Sequence, residues 1–299
     1  MNNTKKKSPI SWVPTAYFAM GLPFVVLNMV TVLMFKGLEV DDKLITFWTS
    51  LILLPWTLKP LWSPFLELFR TKKFFVIVTQ LITGVTFGLV AFALNLSHFF
   101  SISIALLAIV AFSGATHDIA CDGVYMSELS NEDQAKFIGW QGAFYNIAKI
   151  LATGGLVYLA GYFIELNADA GLLTANKRAW MIILLILSVT MILLGIYHLF
   201  ALPSTQSASS KKTLRSNKEV MKELGQVLMD FFRKTHITYY IFFIILYRFA
   251  EGFVMKIVPL FLKADREMGG LGLNEKEIGL YYGTYGAAAF VLGSLLAGY

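Results

Sequence analysis

The chain has 299 residues, of which 57% are hydrophobic and only 15% charged. A soluble fold of this size has too little interior to hide so much apolar side chain, so the composition excludes an ordinary water-soluble enzyme or binding domain. The net charge of +6 would suggest nucleic acid as a partner in a soluble protein, but here most basic residues lie between apolar runs, where they set membrane topology instead. A single cysteine, Cys121, rules out an intrachain disulfide and a cysteine-built zinc site.

A helix needs about 20 apolar residues to cross a bilayer. Windows of that kind occur at 11–36, 44–66, 73–95, 100–128, 136–163, 179–202, 236–263 and 276–299. Lys5, Lys6 and Lys7 precede the first window, which has no small-residue cleavage site and reads as a retained span, not a signal peptide. The stretch 203–235 carries seven Lys or Arg and reads as a hydrophilic linker, with a helix expected near 217–233 on the membrane surface. The expected fold is therefore all-α and polytopic. A six-helix bundle spans 1–202, a basic linker 203–235, and the start of a second bundle 236–299.

Basic residues give an orientation. The N-terminus, the loops after even-numbered spans and the linker hold fourteen Lys or Arg, against seven in the loops after odd-numbered spans. Positive charge favours the cytoplasmic side, so the N-terminus and linker are expected there. The chain also echoes itself. Phe18-Ala19-Met20-Gly21 resembles Phe249-Ala250-Glu251-Gly252, and Leu33-Met34-Phe35-Lys36 resembles Leu260-Phe261-Leu262-Lys263, at an offset of about 230 residues. Six spans, a linker and a restart describe parallel halves. A second half of six spans would continue past Gly298-Tyr299, so the sequence is expected to be C-terminally truncated.

Ionisable residues at membrane depth are costly and point to function. Asp118 and Asp122 in span four are four apart and lie on one helical face. Paired buried carboxylates can take up and release protons, as proton-coupled transport requires. They could also bond neighbouring helices or sit in water near the span's end. Their neighbour His117 points elsewhere, with helix–helix hydrogen bonding as its expected role. In span two, Pro55, Pro60 and Pro64 interrupt helical bonding around Lys59, which either snorkels to the interface or faces a cavity and attracts an anion. Span five carries a polar stripe of Gln141, Tyr145, Lys149 and Thr153, with Lys149 the expected counter-charge to Asp118 or Asp122. In span seven, Arg248 and Glu251 are three apart. Either they neutralise each other, or Arg248 binds a carboxylate or phosphate gated by Glu251. The loop from Glu67 to Lys73, acidic and then basic, reads as a latch between helix ends.

Three segments together resemble the AmpG-type muropeptide permeases, a branch of the major facilitator superfamily related to acetyl-CoA transporters. They are Gly21-Leu22-Pro23, the run from Leu54 to Pro64, and Thr116-His117-Asp118-Ile119-Ala120-Cys121-Asp122. His117 stands where that family commonly has Gln, Cys121 is not a hallmark of it, and Arg248 and Glu251 stand where Lys and Asp are frequent. The resemblance implies six plus six helices and a non-enzymatic, monomeric importer of cell-wall amino-sugar peptides in a bacterial inner membrane. It would take protons and a small-molecule substrate, with no cofactor, metal or nucleic acid. Asp118, Asp122 and Glu251 are the expected proton-coupling residues. Lys59, Gln141, Tyr145, Lys149 and Arg248 are the expected substrate-binding ones. Other sugars or acetyl-CoA-like anions suit the same basic residues. A Mg²⁺-dependent intramembrane prenyltransferase is the remote alternative, since an Asp-x-x-x-Asp pair can hold metal and pyrophosphate.

Overall fold

A computed structural model describes residues 7–63, 66, 71–203, 225–226, 229–230 and 232–289, excluding the side chains of Arg248, Ala250 and Glu251. Eight helices run in order. They are α1 (Pro9–Gly37), α2 (Asp42–Leu61), α3 (Lys72–Ala93), α4 (Phe99–Glu128), α5 (Asn131–Leu166), α6 (Leu172–Ala201), α7 (Ile237–Lys263) and α8, which begins as Glu275–Ile278 and continues through Gly279–Tyr285. The first six are long and apolar enough to cross a membrane. Most of the linker, Glu67–Arg70 and 290–299 lie outside the described residues, so the surface helix near 217–233 and the end of the eighth span do too.

Local chemistry sets the helix starts. Asp41 accepts from the amides of Lys43 and Leu44 at the head of α2, and Thr71 accepts from Phe74 at the head of α3. Asn274 and Glu277 form a reciprocal capping box at α8. Each satisfies amides that a helix N-terminus leaves without partners. The start of α6 lies seven residues before the apolar window at 179, because the polar turn around Asn176, Lys177 and Arg178 continues the helix out of the apolar region.

The centre of the bundle is α1. It is buried nearly all round, and α5 and α4 pack on it, while α3 packs between α4 and α6. Outward faces are apolar instead of polar: Phe92, Phe112 and Phe200 are all more than half exposed. Lipid is the solvent such faces suit. Two helices break where the sequence demands it. Pro23 removes a backbone donor in α1, and the next turns widen into a π-helix over Val26–Val30. In α2 the helix tightens at Ile52–Leu53 ahead of Pro55, and again into a 3₁₀ turn at Lys59–Leu61.

The internal echo has a structural counterpart. Lys36 at the end of α1 pairs with Asp42 at the head of α2, 2.8 Å apart. Lys263 at the end of α7 pairs with Glu275 at the head of α8. The same cation closes the same helix-to-helix connection in both segments.

Candidate functional site

The break in α2 carries Trp56 and Lys59 toward α4. Both meet one oxygen of Asp118: the indole N–H of Trp56 and the Lys59 ammonium each lie 2.8 Å from Oδ2. The indole fits there because Gly114 has no side chain, since a Cβ would come within 2.9 Å of the ring. Phe24 of α1 packs edge-on against the same indole. The pair is well enclosed, with side-chain exposures of 27% for Lys59 and 11% for Asp118. The second oxygen, Oδ1, is buried and has no hydrogen-bond partner among the described residues.

Asp122 has different surroundings, although it shares the helical face. It is exposed, and Tyr17 of α1 donates to its Oδ1 at 2.9 Å. It opens onto a cavity of about 520 Å³ that Ser63, Lys72, Phe75, Ile119 and Gly123 also line. One carboxylate is thus held in a buried ion pair while the other opens onto a cavity.

The remaining expected residues fall into three groups. Tyr145 of α5 lies against α1, where Gly21 leaves room for its ring, and joins the packed cluster around Tyr17. Gln141 reaches the Tyr125 hydroxyl, and Lys149 is half-buried one turn before Thr153, whose hydroxyl donates to the Lys149 carbonyl at 2.9 Å. The cation on Asp118 is Lys59, where the sequence had put Lys149 forward as the counter-charge to Asp118 or Asp122. Arg248 and Glu251 lie on α7, with side chains outside those described. Of the latch, Glu67 and Arg70 are outside the described residues, whereas Lys73 donates to the Leu202 carbonyl at 2.8 Å, tying the start of α3 to the end of α6.

Two features escaped sequence reasoning. The first is a buried polar chain across four helices. Gln80 of α3 bonds His117 of α4 at 2.9 Å and His198 of α6 at 2.8 Å, and Thr15 of α1 bonds the other nitrogen of His198 at 2.9 Å. His117 is therefore the helix-to-helix tie expected of it, and what the sequence did not reveal is the chain of partners through Gln80. The second is Lys256 of α7, which is 6% exposed and contacts the backbone carbonyls of Asn28 and Thr49. Single polar residues in apolar helices were the available signal in both cases. Their partners lie 37 to 228 positions away and leave no local pattern.

Among the described residues, no three His, Cys, Asp or Glu side chains converge as metal ligands would. No curated protein matches the chain. A solved structure of a bacterial homologue of the human lysosomal transporter Spinster, in an inward-facing and unoccupied conformation, superposes with a TM-score of 0.68 at 14% identity. That superposition covers 99% of this chain and 63% of the other, so the chain spans less than two thirds of that protein's length and shares its fold. The sequence itself matches the Major Facilitator Superfamily over residues 15–299, from the first turns of α1 to the final residue. With the helices, their lipid-suited faces and this match in agreement, the chain belongs to the Major Facilitator Superfamily and is a multi-pass membrane chain.

Proposed function

We propose that this chain is the leading part of a proton-coupled importer of cell-wall muropeptides or related amino-sugar compounds, with Lys59 and Asp118 coupling the two fluxes. The observation that carries the reading is the buried pair itself, with one carboxylate oxygen bonded twice and the other left without a partner. In a low-dielectric site, states that carry net charge are disfavoured. The empty site is neutral as Asp118⁻ and Lys59⁺. Adding only a proton, or only an anionic substrate, leaves it charged. Adding both restores neutrality: the proton binds Asp118, the Lys59 ammonium is released, and it takes the anionic group of the substrate. Proton and substrate therefore move together.

Asp122, open to the cavity and held by Tyr17, is placed to relay the proton between water and Asp118. Gln141, Tyr145 and Lys149 offer polar contacts along α5, and Arg248 and Glu251 the counterpart on α7. The matching Lys36–Asp42 and Lys263–Glu275 connections support a division into a first bundle over 1–202, a linker over 203–235 and the opening helices of a second bundle over 236–299. The excess of basic residues supports a cytoplasmic N-terminus, in a bacterial inner membrane on this reading. Charge neutrality alone also suits another anionic substrate, such as an acyl-CoA. Proteins of this superfamily are generally transporters and not enzymes, so the prenyltransferase alternative gains nothing.

The test expresses the full-length protein in bacteria lacking their own muropeptide permease and follows labelled N-acetylglucosaminyl-anhydro-N-acetylmuramic acid. Uptake that requires a proton gradient is the expected result. Absence of uptake from a well-inserted protein would remove the muropeptide assignment.

A further inference from the structure

Helix α7 meets the first six helices unevenly. Tyr239, Phe242, Phe243, Tyr247 and Phe253 along its first two-thirds are exposed, whereas Lys256, Pro259 and Leu260 are buried against α1 and α2. At the same end Lys276 of α8 pairs with Glu165 of α5, while Lys263–Glu275 ties α7 to α8. Nearby, Gly283 of α8 packs backbone to backbone against Thr153 and Gly154. One end between the helix groups is therefore closed, and Lys256 sits inside the closure.

Its partners are unusual. The Lys256 ammonium lies 3.3 Å from the Asn28 carbonyl and 3.4 Å from the Thr49 carbonyl. Both carbonyls occur where helical bonding is disturbed. Asn28 is in the π-helical stretch of α1. Beyond Thr49, the Leu53 amide turns to Ser50, so the amide four residues on does not take the Thr49 carbonyl. Such sites attract a donor. Yet two long contacts to carbonyl dipoles do not replace the water that an ammonium loses on burial, and no carboxylate among the described residues pairs with it. Closure dehydrates this charge, and opening rehydrates it.

We propose that Lys256 is an opening charge: a cation that weakens the closed end just enough for it to separate during transport. The disturbed carbonyls make its burial tolerable, and the lack of a counter-charge among the described residues makes that burial reversible. The Lys276–Glu165 pair and the α5–α8 packing hold the end shut, and Lys256 opposes them. This inference rests on the two-state cycle of the transporter reading, and it does not depend on the identity of the substrate.

The test uses the full-length protein in proteoliposomes, with Cys121 and every further native cysteine replaced by Ala. Leu260→Cys reports on the closed end and Phe253→Cys on the exposed stretch of α7. A membrane-impermeant maleimide is added to the side that each reporter faces. Lys256→Met keeps the volume and removes the charge, so the end should stay shut more of the time. Labelling at position 260 should slow about ten-fold, and labelling at 253 should hold or quicken. Lys256→Arg, which keeps the charge, should label like the parent. Faster labelling at 260 in Lys256→Met would mean the lysine is a clamp, and unchanged labelling would mean it has no part in opening. Either result overturns the proposal. Substrate uptake by the parent protein is measured alongside. Slowed labelling without muropeptide uptake would leave the opening charge standing and remove only the substrate. Uptake with unchanged labelling would do the reverse.

Discussion

Lys59 and Lys256 are both enclosed lysines held against the same two broken helices or their neighbours, and they differ in what receives the ammonium. Lys59 meets a carboxylate at 2.8 Å, and Lys256 meets two carbonyls at 3.3 and 3.4 Å. A full counter-charge makes the first a neutral unit that is costly to split. Dipoles alone make the second a charge that is only tolerated. Irregular backbone in these membrane helices serves two purposes. The prolines of α2 aim Lys59 at Asp118, and the disturbed turns of α1 and α2 expose carbonyls that accommodate Lys256.

The comparison is most exposed at Lys59. Lys59→Met strands the Asp118 carboxylate, and unfolding in detergent should register a loss of about 3–5 kcal/mol. Adding Asp118→Asn should return most of it, because the charge left behind is gone. If the double variant is as damaged as the single one, the pair is not a unit. Next in size is the polar tie beside the site. Gln80→Leu leaves buried nitrogens of His117 and His198 without their partner, at about 2 kcal/mol in the same unfolding measurement. A smaller effect is expected at Asp122, which is exposed, so water can replace the bond lost in Tyr17→Phe. That change should cost less than about 1 kcal/mol while slowing proton-driven uptake more than substrate exchange. At the other pole, Lys256→Met should lose no more than about 1 kcal/mol and can gain stability, since an apolar side chain suits that burial better than an uncompensated ammonium. A loss as large as that of Lys59→Met would erase the distinction between the two lysines.

Much of the fold was legible because the bilayer imposes length and apolarity on each span, and among the described residues the first seven windows each fall on a helix and the eighth on the start of one. Helix ends were less legible. The head of α6 is polar, so it carries no apolar signal although it is helical from Leu172. Asp118 stood out because an acid at membrane depth needs a reason. Its partner did not. Whether Lys59 turns inward depends on how Pro55 and Pro60 bend α2, and residue spacing does not encode that angle. Spacing favoured Lys149 through its regular stripe, and the bend gave the position to Lys59. Asp118 and Asp122 share a face by register, yet one is buried and the other exposed, because α2 covers only the first. Gln80, His198 and Lys256 matter through contacts between distant helices, which a single sequence read locally does not reveal.

On the proposed mechanism Asp118 carries the proton whose arrival frees Lys59 for substrate. The most direct test compares two modes of the same transporter: accumulation driven by a proton gradient, and exchange of labelled for unlabelled substrate without one. Asp118→Asn mimics the protonated acid and leaves the Lys59 ammonium available at all times. Exchange should continue while gradient-driven accumulation disappears. Accumulation that persists in the variant would contradict that mechanism, and the coupling proton would have to bind elsewhere.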